Sequence, residues 1–189
     1  VVLSPDPATV VDTLSCTPGT VTDSDGDTIS FKYGWTIDGV SVTATTDTLS
    51  SAYFSRGEAV VCTVTPTDSY GDGSTVISNS VTISNSAPML LKATLTPNSP
   101  IETSTLTCTA GSSSDADGDT VTFSYEWAVN GVKIAGTSRT LTGTYFSVND
   151  DVYCIITPFD TIDFGASVSS NTVAIENTPP TVASATLSP

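Results

Sequence analysis

Ser30-Phe31-Lys32-Tyr33-Gly34-Trp35-Thr36-Ile37-Asp38-Gly39 is the stretch that decides the fold. Phe31, Tyr33, Trp35 and Ile37 alternate with Lys32, Gly34, Thr36 and Asp38, so one face is apolar and the other is not. A period of two over this length marks a half-buried β-strand. The strand runs into Asp38-Gly39 ahead of apolar Val40. That dipeptide predicts a tight hairpin, because a type I′ turn needs positive φ at both central residues. The matching strand around Trp127 ends in Asn130-Gly131, which carries the same signal.

The match extends along the whole chain. Cys16 recurs at Cys108, Trp35 at Trp127, Cys62 at Cys154 and Asn85 at Asn177, each 92 residues later. Pro5 recurs at Pro97 and again at Pro189, with no gap in the register. The 189 residues therefore read as two copies of one domain, 1–86 and 87–178. Leu187-Ser188-Pro189 repeats Leu95-Thr96-Pro97, so 179–189 reads as the first strand of a third repeat or as a strand lent to a neighbour. Further alternation places Leu14 and Cys16 on one strand, Val60, Cys62 and Val64 on another, and Val81 and Ile83 near the close of the first copy. Val152, Cys154 and Ile156 repeat the pattern. Turn signals every 8–12 residues and no 3.6 period predict an all-β sandwich in each copy.

Composition excludes several chemistries. The chain has 5 Lys plus Arg against 20 Asp plus Glu, no His, and a net charge of −15. Without His there is no Ser-His-Asp triad and no His-ligated zinc. Nucleic acid and anionic membrane surfaces need clustered cations, which this charge balance does not supply. No apolar run reaches the roughly 18 residues of a transmembrane helix, so no direct membrane insertion is expected.

Each copy holds two cysteines 46 residues apart, with a Trp 19 residues after the first. This resembles the immunoglobulin-like sandwich, and the resemblance covers both copies. It implies that Cys16 with Cys62, and Cys108 with Cys154, form disulfides joining strands B and F, with Trp35 and Trp127 packed on them. The alternative is pairs of reduced, buried thiols. Val60 and Val152 stand where that fold often places a tyrosine two residues before the second Cys, so no tyrosine corner is expected. Disulfides imply an oxidising compartment, hence an extracellular or cell-surface protein.

Asp23-Ser24-Asp25-Gly26-Asp27 recurs as Asp115-Ala116-Asp117-Gly118-Asp119. Alternating carboxylates around a Gly suit a hard cation such as Ca²⁺, which takes six to eight oxygens at about 2.3–2.6 Å. Thr65-Pro66-x-Asp68 recurs as Thr157-Pro158-x-Asp160. In the sandwich that this chain resembles, the B–C and F–G loops share one end. Asp68 is then expected to approach Asp23, Asp25 and Asp27, and Asp160 to approach Asp115, Asp117 and Asp119. The competing reading is a solvated turn in which Asp is only a turn former. An EF-hand is excluded: Glu126 falls twelfth from Asp115, but Gly34 holds that place in the first copy and a strand follows.

With the linkers Ser84-Asn85-Ser86-Ala87-Pro88 and Glu176-Asn177-Thr178-Pro179-Pro180, these motifs look like tandem immunoglobulin-like modules of large bacterial or archaeal surface proteins. They are related in style to polycystic-kidney-disease and cadherin-like repeats. The resemblance implies a non-catalytic, calcium-stabilised stalk or filament segment of an adhesin. Its expected partners are neighbouring repeats of the same protein, with self-assembly as an extension. The alternative is a carbohydrate- or protein-binding accessory module of a secreted protein. A carboxylate-based hydrolase is disfavoured, because paired acids need an apolar cleft to raise one pKa.

Overall fold

The computed structural model describes residues 1–185 of the chain. It divides into two compact units. One comprises Val1–Ser86 together with Ala116–Asp119, and the other comprises Ala87–Asp115 with the chain from Thr120 on.

The first unit packs two antiparallel sheets. Strands β1 (Val2–Ser4), β2 (Leu14–Thr17) and β5 (Thr48–Leu49) form one, in the order β1-β2-β5. The other runs β4-β3-β6-β7, from β3 (Ser30–Ile37), β4 (Val40–Val42), β6 (Ala59–Thr67) and β7 (Val76–Ile77), and β8 (Val81–Thr82) also pairs with β6. Inward positions alternate as the period of two requires. Leu3, Leu14, Cys16 and Leu49 face Trp35, Val60, Cys62 and Val64 across the core. Trp35 lies opposite Cys62 in the β3–β6 register. Its indole N–H donates to the Thr46 carbonyl at 2.9 Å, so the buried ring keeps a partner for its polar edge. The β3–β4 turn has positive φ at Asp38 (48°) and Gly39 (78°), as the dipeptide predicts.

The second unit repeats this plan. Strands β10 (Ala93–Thr96), β11 (Thr105–Ala110) and β15 (Thr140–Thr142) form one sheet. Strands β13 (Thr122–Val129), β14 (Val132–Ile134), β16 (Asp151–Phe159) and β17 (Val168–Ser169) form the other, with β18 (Val173–Ala174) also on β16. A short extra ladder joins β9 (Met89–Leu90) to β12 (Ser113–Ser114). Trp127 is fully buried and donates to the Ser138 carbonyl at 2.8 Å.

Both disulfides form between the sheets, Cys16–Cys62 and Cys108–Cys154, each with Cα atoms 6.2 Å apart. All four cysteines are bonded. The fold is an all-β pair of immunoglobulin-like sandwiches. Val60 and Val152 are fully buried core residues in the place of the absent tyrosine. Tyr53-Phe54 and Tyr145-Phe146, which read as core from their place before the long strand, divide instead. Phe54 and Phe146 are buried, while Tyr53 and Tyr145 point outward.

One device was not visible as a strand pattern. The last strand of each sandwich is interrupted at Ser78-Asn79 and at Ser170-Asn171. The Leu3 N–H donates to Asn79 Oδ1 at 2.8 Å, and Asn79 Nδ2 donates to the Leu3 carbonyl at 3.2 Å. Asn171 clasps Leu95 in the same way, at 2.9 and 3.2 Å. A side-chain amide thus replaces a strand peptide and satisfies backbone groups that would otherwise lack partners. Of the 179–189 stretch, residues 179–185 are exposed and carry no strand, and 186–189 lie outside the described residues.

Candidate functional site

Alternation ends where Gly, Asp and Ser collect, so the acidic motifs fall between strands. In the first unit Asp23 lies between β2 and β3. Its Oδ1 accepts hydrogen bonds from the Asp25 and Asp27 backbone N–H groups, at 2.9 and 3.2 Å. Gly26 closes the loop at φ +82°, a conformation that costs a residue with a Cβ. The Asp27 and Asp25 backbone donors hold the Asp23 carboxyl below the usual value, since they favour its ionised form.

Asp68 follows β6 and caps the next turn. Its Oδ1 accepts from the Tyr70 and Gly71 N–H groups at 2.7 and 2.8 Å. Asp23 and Asp68 line one open cleft of about 120 Å³, with Thr22 and Thr67. One acid from each of these two loops thus lines the cleft. Asp25 and Asp27 do not line that cleft; Asp25 is exposed and Asp27 half-buried.

The second motif is arranged differently. Asp115 belongs to the second unit, whereas Asp117 and Asp119 group with the first. Asp117 Oδ2 accepts from the Ser86 N–H at 2.6 Å. Asp119 forms an ion pair with Arg56, which also donates to Asn85 Oδ1. Asp160 is 1% exposed and caps its turn through Oδ1, accepting from Ile162 and Asp163 at 2.7 Å each. Among the described residues, no group of three or more His, Cys, Asp or Glu side chains is placed to hold a metal ion. Backbone N–H groups and one guanidinium are the protein partners that these carboxylates meet.

Arg56 is the residue that the repeat reading missed. Its counterpart is Val148, so a comparison of the two copies passes over it. The available signal was its rarity, as one of five cations among twenty acids. Three of the other four cations have partners elsewhere: Lys32 on Asp72, Lys133 on Glu126, and Arg139 on the Cys108 carbonyl.

Tyr53 and Tyr145 are exposed at equivalent places in the two copies, whereas the exposed loop aromatics have no aromatic counterpart in the other copy. Phe164 is 66% exposed and stacks on Phe159 with centroids 4.5 Å apart. Tyr70 is exposed in the first unit, but Ile162 holds its place in the second.

No family model matches the chain, and no curated protein does. Among solved structures, the FN1–FN3 domains of chicken CNTN1 are similar at 9% identity and a TM-score of 0.37, over 93% of this chain and 66% of that one. The three N-terminal domains of the bacteriophage RB49 Highly Immunogenic Outer Capsid protein (Hoc) are similar at 17% identity and a TM-score of 0.34, over 92% and 59%. The chain spans less than two thirds of either. Its fold class stands on its own strand order and disulfides.

Proposed function

We propose that the chain is a non-catalytic structural segment of an extracellular or cell-surface protein, a stalk or filament piece built from immunoglobulin-like repeats. The carrying observation is that each copy is a sandwich pinned across its core by a disulfide. Such bonds persist in oxidising compartments. The site chemistry supports the same reading. The carboxylates of Asp23, Asp68 and Asp160 shape their loops through backbone N–H groups. Polycystic-kidney-disease and cadherin-like modules of large surface adhesins are the proposed kin, and neighbouring repeats the proposed partners.

Calcium is the proposed ligand of the first copy. Asp23 and Asp68 share a cleft, and the hydrogen bonds described for each carboxylate engage Oδ1. These two acids would hold the ion, with loop carbonyls completing its shell. Two charged ligands fit only the weak class of extracellular sites, with Kd about 10⁻⁴–10⁻³ M. A ligand at ten times its Kd adds about 1.4 kcal/mol. That should raise the unfolding temperature of the first unit by several degrees. Thermal unfolding of the non-reduced chain in about 10 mM calcium and in excess chelator measures this. A rise lost in the double variant Asp23→Asn, Asp68→Asn supports the site. An unchanged transition reduces both loops to turns and leaves the stapled sandwich intact.

A binding module is the second reading, favoured by the Phe159–Phe164 stack, whose Phe164 ring is exposed. Retention on a glycan array that Phe164→Ala abolishes would support it.

A further inference from the structure

The two copies of the acidic motif share a sequence pattern but not a set of partners. In the first, the Asp23 carboxylate accepts from N–H groups of its own loop. In the second, the carboxylates of Asp117 and Asp119 meet Ser86 and Arg56 within the first unit. The Arg56 guanidinium meets Asp119 with two nitrogens, Nη1 on Oδ2 and Nη2 on Oδ1, the latter at 3.4 Å. A planar fork on a carboxylate is the strong, directional form of an ion pair. Both side chains are about one-third exposed or less, at 33% and 27%, so the charges are partly withdrawn from screening solvent. Arg56 also holds Asn85 Oδ1, next to the Ser86 N–H that binds Asp117. One guanidinium and one backbone N–H on adjacent segments thereby take up two acids of a single motif.

We infer that Arg56 is the built-in counter-ion of the Ala116–Asp119 segment, a fixed protein cation in the role that a metal ion would fill in a Asp-x-Asp-Gly-Asp loop. Arg56 is a positioning residue: it sets where this segment lies in the first unit and makes that placement independent of divalent cations. The inference stands apart from the calcium proposal, which concerns Asp23 and Asp68.

A double-mutant cycle on the full, non-reduced chain tests it. The variants are Arg56→Gln, Asp119→Asn and their combination, with Arg56→Lys retaining the charge without the fork. All are unfolded in excess chelator at low and at high salt. Each single change is expected to lower the folding equilibrium constant of the affected transition about fivefold. The combination should cost no more than either alone, high salt should shrink the loss, and Arg56→Lys should recover part of it. With Asp23 and Asp68 both changed to Asn, so that the calcium site proposed for the first copy is silent, Arg56→Gln should gain a calcium response that the same chain with Arg56 lacks, because one fixed cation has been removed from beside Asp119. Additive single effects, or losses that do not change with salt, would overturn the assignment. An unaltered chain whose Ala116–Asp119 segment gains protease protection from calcium would overturn it too. A missing response at Asp23 and Asp68 would leave it untouched.

Discussion

Asp23 shows how one carboxylate can organise a loop through backbone donors. Its Oδ1 gathers two N–H groups, and those bonds favour the ionised form. Two other acids are lowered in the same direction: Asp72 by the Lys32 side chain, and Asp150 by the Ser147 N–H and then by Asn130. A carboxyl more acidic in the folded chain than its ordinary 3.8 stabilises the fold above that value. The contribution disappears as pH falls through the lower, folded value. The unfolding temperature should therefore hold from neutrality to about pH 5 and fall below about pH 4. Asp23→Asn should flatten part of that fall in the first unit. Calorimetry across the acid range measures it, and a level profile down to about pH 2.5 would contradict the assignment.

Among the elements, the long strands are the most legible. The alternation in β3 and β6 needs no tertiary information, because a half-buried strand shows its own face. The short ones are not. β9 and β12 are two residues each and pair with each other, in a stretch with no apolar period. Their place depends on a close backbone approach. A Cβ built on Gly165 would lie 1.8 Å from the Pro88 carbonyl oxygen and 2.9 Å from the Pro158 ring. Gly165→Ala must push the segment before β9 away, and overpacking of this kind costs about 1–3 kcal/mol. Hydrogen exchange should show the Leu91 N–H, which donates to Ser112 at 3.0 Å, losing protection while the β13–β16 ladder keeps its own. Retained protection at Leu91 would show that the backbone absorbs the methyl group. The Asn79 and Asn171 clasps were equally hidden: Ser-Asn recurs in both copies, but nothing local says that an amide replaces a strand peptide.

For the whole molecule, the two disulfides dominate the stability that can be assigned. Each closes a loop of 46 residues, which removes unfolded-state entropy worth about 3–4 kcal/mol. No hydrophobic cluster of this size has such a margin to lose cheaply, since a domain's net stability is only about 5–15 kcal/mol. Reduction under denaturing conditions, followed by refolding with the thiols blocked, should lower both unfolding transitions by well over ten degrees or abolish them. Transitions unchanged by that treatment would mean that the cores alone suffice. The net charge of −15 adds self-repulsion, so salt should favour the compact state generally.

By itself the sequence determined the fold class, the repeat, the hairpins and the inward face of each long strand. Those follow from period, spacing and turn chemistry, which are local and survive without knowledge of neighbours. The tertiary structure decided which protein groups the acids meet. A run of carboxylates states that positive partners are needed but not which ones. Backbone N–H groups, Arg56 and the Ser86 amide came from positions whose proximity no spacing encodes. Arg56 in particular has no counterpart in the second copy, so the rule that exposed the domains was the rule that concealed it.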